Sequence, residues 1–219
     1  DVEARASSGT IDNYDLGLYA GARYGDLGLK AGVSYTWHDA AMGRTTAFTG
    51  YSGSSTGGYD ASTTQLFGEA GYTFRLDAVA LQPFAGLAYV HLSTDGLTET
   101  GSSSALAVTV AGMDTVFSSL GLRLGTSLTL APGVSVTPNL SLAWLHAFGD
   151  VNPAATMAFA SGSQPFAVTG VPLARDSALI GAGLDYRLTA AAVLSASYSG
   201  QFAAGLQDNA FKGALTVAF

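Results

Sequence analysis

Apolar and polar positions alternate with a period of two along most of this chain. From Leu27 to His38 the odd positions are Leu27, Leu29, Ala31, Val33, Tyr35 and Trp37, and the even ones are Gly28, Lys30, Gly32, Ser34, Thr36 and His38. Successive side chains of a β-strand point to opposite faces, so this spacing predicts a strand with one greasy face and one polar or small face. Just upstream, Tyr14, Leu16, Leu18, Ala20, Ala22 and Tyr24 oppose Asp15, Gly17, Tyr19, Gly21 and Arg23. Leu66, Gly68, Ala70, Tyr72 and Phe74 oppose Gln65, Phe67, Glu69, Gly71 and Thr73. The same alternation places Leu120, Leu122 and Leu124 against Ser119, Gly121 and Arg123, and Leu140, Leu142 and Trp144 against Asn139, Ser141 and Ala143. Three further strands follow, with Ile180, Leu184 and Tyr186 against Asp185 and Arg187, Leu194 and Tyr198 against Ser195 and Ser197, and Leu215, Val217 and Phe219 against Lys212 and Thr216. Only Val79 to Leu92 leaves its faces open, because Phe84, Ala88 and Val90 share the parity of Gln82. About nine complete strands result, plus a partial one in Asp1 to Ser7.

Taken singly, any of these strands suits a β-sandwich as well as a barrel. The links between them discriminate. Those at Gly25-Asp26, Arg75 to Ala78, Ala131 to Gly133 and Thr189 to Ala191 are tight, whereas His38 to Ala61, Ser93 to Asp114 and Gly149 to Asp176 are long and rich in Gly, Ser and Thr. Short and long links in strict alternation put every tight turn at one end, as in a barrel with periplasmic turns and extracellular loops. Aromatic residues mark both ends. Trp37, Tyr89 and Trp144 adjoin the long links, and Tyr24, Tyr72, Phe74, Tyr186 and Phe219 adjoin the tight turns or the terminus, the placement expected of headgroup-level side chains.

Composition supports a membrane setting. Of 219 residues, 48% are hydrophobic and only 11% charged, and mean hydropathy is +0.30. The soluble norm is roughly 25% charged, so much of this surface is expected to face something other than water. A spanning helix needs about 20 mostly apolar residues, and the longest uncharged stretch, Val151 to Ala174, is broken by Pro153, Pro165 and Pro172. The remaining structure that satisfies every backbone group in lipid is a closed barrel. The expected fold class is therefore all-β, an antiparallel up-and-down transmembrane β-barrel.

Charge and composition narrow the function. A net charge of −7 and a pI near 4.6 argue against a nucleic-acid partner, since such binders gather Lys and Arg on one face. With no cysteine there is neither a disulfide nor a thiolate metal site, which suits export through an oxidising compartment. The chain opens at Asp1 with no leader, and reads as a piece of a longer precursor. Arg or Lys facing lipid at mid-depth would cost about 2–4 kcal/mol each, so Asp15, Arg23, Lys30, Glu69, Arg123, Asp185, Arg187 and Lys212 are expected to line the lumen. No GxSxG, HExxH, CxxC or P-loop spacing occurs. Neither a catalytic residue, a metal nor a cofactor is expected. His38, His91 and His146 each sit near the outer end of a strand beside an aromatic, and interfacial anchoring accounts for them more simply than catalysis. An enzyme would need a His and a carboxylate meeting at the lumen rim, and Asp39 cannot serve His38 because strand neighbours point apart.

The last segment, Phe211-Lys-Gly-Ala-Leu-Thr-Val-Ala-Phe219, resembles the C-terminal signal read by the bacterial barrel-assembly machinery, with Phe211, Gly213, Leu215, Val217 and Phe219 in the alternating positions. Leu16-Gly-Leu-Tyr-Ala-Gly-Ala-Arg-Tyr24, Tyr35-Thr-Trp-His-Asp39, Pro83-Phe-Ala-Gly-Leu-Ala-Tyr-Val-His91, His146-Ala-Phe-Gly-Asp150 and Tyr198-Ser-Gly-Gln-Phe202 resemble segments of the autotransporter β-domain, the translocator of type V secretion. That resemblance runs along essentially the whole chain. It implies a barrel of about twelve strands in the bacterial outer membrane that anchors and exports an N-terminal passenger, with a linker helix in the pore. The implied partners are outer-membrane lipid, the assembly machinery, and the passenger and linker. Nine strands fall short of that barrel, so its first strands are expected to precede Asp1. Some members cut their own linker with lumenal carboxylates, and Glu69 is the inward acid to examine for such a role. A small porin-like or adhesion barrel acting through its outer loops is the alternative.

Overall fold

Alternating side chains become a sheet only if their backbones pair, and here they pair almost without interruption. The computed structural model describes residues 7–149 and 151–217. The expected partial strand in Asp1 to Ser7 falls mostly outside them, as does Phe219. Nine long strands form one antiparallel half-barrel in strict chain order. They are β1 (Ser7–Tyr24), β2 (Leu27–Phe48), β3 (Tyr51–Tyr72), β5 (Val79–Thr94), β8 (Met113–Thr126), β10 (Val134–Gly149), β13 (Asp176–Arg187), β14 (Ala192–Ala203) and β15 (Leu206–Val217). Two short pieces continue this path: β4 (Phe74–Leu76) extends β3 and pairs with β5, and β9 (Leu128–Ala131) extends β8 and pairs with β10.

The register settles the faces. Directly opposed residues of an antiparallel pair share a face. Lys30 opposes Glu69, Glu69 opposes Gly86, Gln82 opposes Arg123, Arg123 opposes Ser141, and Asp185 opposes both Thr137 and Ser195. One face is therefore polar from β1 to β15, and Leu16, Val33, Leu66, Leu87, Leu122, Leu142, Ile180, Leu194 and Leu215 lie on the other. The ambiguous strand is decided too. Phe84, in β5, lies on the polar face with Gln82, and its ring fills the space left by Gly121, where a Cβ would come within 2.6 Å of it.

Burial is inverted relative to a water-soluble protein. Leu18 is 75% exposed and Leu87 62%, and similar leucines cover the apolar face of every long strand. Buried apolar residues among those described are few, and apart from Leu97 and Val151 all are alanines. Leucine rows left bare over a whole sheet face mark a surface meant for an apolar medium.

The ends of the strands bear out half of the expected sorting. Gly25-Asp26, Asp77-Ala78, Pro132-Gly133 and the Leu188–Ala191 link all lie at one end. The opposite end departs from the expected loops. His38 to Ala61 is no loop: β2 and β3 stay paired until Thr49-Gly50, where Gly50 adopts φ +88°. Its Gly-, Ser- and Thr-rich composition reads as a loop, yet backbone pairing requires no apolar side chains. The last link at this end is also short, a turn at Ala204-Gly205 with Gly205 at φ +76°. Alternation of short and long links is therefore not strict.

The two remaining long links fold as well. β6 (Leu97–Thr98), β7 (Leu106–Val110), β11 (Ala154–Phe159) and β12 (Phe166–Thr169) make a second sheet in the order β12-β11-β7-β6. This cap lies on the β2–β3 hairpin, where Thr56 and Thr100 exchange backbone hydrogen bonds of 2.9 and 2.8 Å. Gly53, Ser55 and Gly57 share the polar-face parity of β3, and their small size admits it: a Cβ at Gly57 would come within 2.5 Å of Leu97 Cδ1. Arg44, on the same face, donates from Nε and Nη2 to Glu99 at 2.9 and 2.7 Å and from Nη2 to the Ser104 carbonyl at 2.5 Å. Glu99 is only 4% exposed and also accepts the Leu106 N–H at 2.9 Å.

The Arg44 hydrogen bonds hold the Glu99 carboxyl below its usual range, outweighing the burial that pushes it up. A carboxyl depressed by folding contributes its full stabilisation above its unfolded value, near pH 4.3, and loses it as pH falls through the lower folded value. Protection of the amides from Leu97 to Val110 against hydrogen exchange, relative to their intrinsic rates at the same pH, should accordingly fall below pH 4. Glu99→Ala should loosen the same amides at neutral pH by about 2–4 kcal/mol, since it strands the Arg44 guanidinium.

Candidate functional site: a polar wall and an apolar belt

All eight predicted lumen charges share the polar face. The register sets Asp15 opposite Thr36, Arg23 opposite Gly28, Arg187 opposite Ser135 and Lys212 opposite Ser197, which joins them to Lys30, Glu69, Arg123 and Asp185. Three of the eight meet directly. Glu69 accepts from Arg123 Nη1 and Nη2 at 2.8 and 2.5 Å, and Lys30 Nζ lies 3.2 Å from the same carboxylate. The Arg123 guanidinium sits 3.7 Å above the Phe84 ring, and its Nη1 also donates to Gln82 Oε1 at 3.3 Å. A planar guanidinium suits this arrangement, binding a carboxylate with both arms while stacking on an aromatic face.

Elsewhere the charges find smaller partners. Asp15 accepts the Thr36 hydroxyl at 2.5 Å and Asp185 the Ser195 hydroxyl at 2.6 Å. Arg23, Arg187 and Lys212 form no side-chain hydrogen bond or ion pair among the described residues. At the tight-turn end Arg75 pairs with Asp26.

On the apolar face the aromatic residues fall into rows. Trp37, Tyr89, Trp144 and Phe202 each stand ten residues beyond the first residue of their strand, namely Leu27, Val79, Val134 and Ala192. Ten residues at about 3.3 Å, inclined by about 40°, rise roughly 25 Å, the height of an outer-membrane apolar band. Tyr24, Tyr72, Phe74 and Tyr186 stand at the other margin, with the Tyr72 and Phe74 rings 5.0 Å apart. In the closing strand Phe211, Gly213, Leu215 and Val217 share the apolar face, and the Phe211 ring packs against Tyr198 of β14, tilted by 44° with centroids 5.0 Å apart.

The histidines divide. His91 Nδ1 lies 2.8 Å from Asp114 Oδ1, which also accepts the Tyr89 hydroxyl. His146 Nδ1 lies 2.8 Å from Asp176 Oδ1, which accepts the Trp144 indole N–H at 2.8 Å. Both groups repeat one design, an aromatic and a His two residues apart facing an Asp across the strand pair, and both lie on the apolar face beside the upper aromatic row. His38 differs from the expected interfacial role. It lies on the polar face, between Asn13 at 2.7 Å and Thr63 at 2.9 Å, and Asp39 points the other way. Sequence reading missed Asp114 and Asp176 as partners, because their pairing rests on a cross-strand register that alternation alone does not supply.

A half-barrel with an apolar belt, aromatic margins and a charged inner-type wall defines a β-barrel wall of outer-membrane type. Residues 1–199 match the model of the autotransporter β-domain family, and the chain belongs to that family. Two proteins of Serratia marcescens, each named extracellular serine protease, are 38% and 36% identical to it over 208 residues. Those matches take in 95% of this chain, and the chain spans 20% of each relative's length. Among solved structures, the translocator domain of autotransporter NalP from Neisseria meningitidis superposes with a TM-score of 0.70 at 17% identity, over 98% of this chain and 68% of that one. The transport unit of AIDA-I from Escherichia coli gives 0.64 at 17% identity, over 100% and 69%. Autotransporter translocator domains are outer-membrane barrels of Gram-negative bacteria, and the family implies an N-terminal passenger.

If the Arg123–Glu69 pair braces the wall, the three charges should differ in weight. Glu69→Ala should lower the stability of the refolded barrel by about 2–3 kcal/mol in urea titrations, since Glu69 is 19% exposed and Arg123 loses both of its bonds to it. Lys30→Ala should cost under about 0.5 kcal/mol, because Lys30 is 58% exposed.

Proposed function

We propose that this chain is most of a translocator barrel that anchors an exported protein in the outer membrane and passes an N-terminal passenger to the cell surface. The observation that carries the reading is that every Lys and Arg of the nine strands lies on one face while the leucine rows between the two aromatic margins, about 25 Å apart, lie on the other, with Leu92, Leu145, Leu179 and Leu206 the leucines on the polar face. In this reading Asp15, Arg23, Lys30, Glu69, Arg123, Asp185, Arg187 and Lys212 line a hydrated lumen. An extended chain passing there meets mostly water, charges and hydroxyls, and so finds little continuous apolar surface to adhere to. Tyr24, Trp37, Tyr72, Tyr89, Trp144 and Tyr186 hold the barrel's height at the two headgroup levels.

Closure follows from strand direction. β1 and β15 both run from the loop end to the tight-turn end. Joining them within an antiparallel barrel takes an odd number of further strands, so that neither edge stays unpaired in lipid. Three, drawn from the chain before Asp1, would make twelve. The solved translocators, of which this chain spans about two thirds, support that size. The protease name of the relatives belongs, in this reading, to the four fifths of their length outside the matched segment. This chain itself then carries no reaction. A barrel acting through its loops alone would explain the cap but not relatives of that length.

Assembly in this reading is guided by the closing strand, with Phe211, Gly213, Leu215, Val217 and Phe219 presented to the barrel-assembly machinery. Two measurements test the assignment. Leu18→Arg should sharply reduce the heat-modifiable, folded form in outer membranes, while Lys30→Ala should leave it near the parent level; equal effects would remove the face assignment. Deleting Phe219 should slow accumulation of folded barrel in a pulse-chase experiment, and unaltered kinetics would dismiss the terminal signal.

A further inference from the structure

The charges of the polar face are sorted by height as well as by side. Five cations lie near the tight-turn end and a sixth at mid-height. Arg23, Arg75 and Arg187 sit opposite Gly28, Ala80 and Ser135, each the second residue of its strand. Lys30 and the partner of Arg123, Gln82, are the fourth residues of β2 and β5, and Lys212 opposes Ser197, the sixth of β14. On this half of the wall they meet only Glu69 and Asp185, with Asp26 and Asp77 in the adjoining turns. Nearer the loop end the same face carries Asp15, opposite the tenth residue of β2, and Asp208, opposite the tenth of β14, and the cations there are Arg44, paired with Glu99 in the cap, and Arg175, just before β13, which donates to the Gly149 carbonyl at 3.2 Å. Asp12, Asp39, Asp60, Asp114 and Asp176 lie at the loop end too, but on the apolar face.

Resting on the translocator reading, we infer that the periplasmic half of the lumen is an anion-attracting mouth that concentrates small anionic solutes, although the chain as a whole is acidic. Net charge is a poor guide because the surplus carboxylates stand at the far end or on the outer face, more than a Debye length of about 8 Å away through screening solvent. A narrow passage with low-dielectric walls instead focuses the field of the charges that line it, to potentials of several kT. The unpaired Arg23, Arg187 and Lys212 dominate that field, since Lys30 and Arg123 share Glu69, and Arg75 pairs with Asp26.

The absence of cysteine in this segment makes the field measurable. Single thiols are placed in the full-length protein at Asn139→Cys, on the polar face of β10 at the height of Lys212, the sixth residue of its strand, and at Gln201→Cys, opposite Asp208, and the cations Arg23, Arg187 and Lys212 are called the collar. Each is treated in open outer-membrane fragments with a sulfonate-bearing and a trimethylammonium-bearing methanethiosulfonate, and the ratio of the two rates is read. The ratio should favour the anionic reagent about tenfold more at position 139 than at 201. It should fall by most of that factor when Arg187→Gln and Lys212→Gln are added, and be retained with Arg187→Lys and Lys212→Arg. Equal ratios at the two positions, or a ratio indifferent to removal of the collar charges, would overturn the inference. A thiol at 139 that reacts with neither reagent would instead sink the open-lumen reading on which it rests.

Discussion

Backbone N–H and C=O groups cannot be left bare where there is no water, and the whole architecture answers to that constraint. Each long strand lies beside its sequence neighbour, with a register shift at Val134 and Ser135, so the ladder runs nearly complete across the sheet. With the backbone satisfied by pairing, no packed interior is required, and the leucines are free to face outward. What would be a destabilising exposure in water becomes the means of insertion in lipid. Among the described residues, the outer edges of β1 and β15 are where the long-strand sheet leaves that demand unmet.

Freed from packing, the polar face is governed by electrostatics instead. Arg123 illustrates the logic, held between the Glu69 carboxylate and the Phe84 ring, with Gly121 leaving space for that ring. Phe67 likewise lies over Gly32 on the same face. Most of its cations stand toward the tight-turn end, a placement that net charge conceals. At the loop end the rules revert to those of a soluble domain: Leu97 and Val151 are buried, and the Arg44–Glu99 pair is held by several hydrogen bonds. The cap is therefore a small conventional fold carried on the projecting β2–β3 hairpin.

Much of this was legible in the sequence because a strand's side-chain period is fixed at two. Leu16, Leu18, Leu29 and Val33 announce their face locally, and all eight charges chosen by parity do share one side. Tight turns at Gly25-Asp26 and Pro132-Gly133 are equally local. Val79 to Leu92 could not be read, since Phe84 satisfies the polar side only through its contacts with Arg123 and the cavity above Gly121, both contributed by the neighbouring strand. His38 misled for the same reason: its partners, Asn13 and Thr63, come from two other strands.

By itself, the sequence determined the number of long strands, the two faces of all but one of them, the tight-turn end and the aromatic margins, because each depends on alternation or on residue types within a few positions. Tertiary structure alone decided the registers, and with them the Lys30–Glu69–Arg123 cluster, the two His–Asp pairs and the height at which each charge stands. It also decided that the Gly-, Ser- and Thr-rich links fold into a paired hairpin and a second sheet. Those features depend on backbone hydrogen bonds between distant segments, which polar and small side chains permit but do not encode.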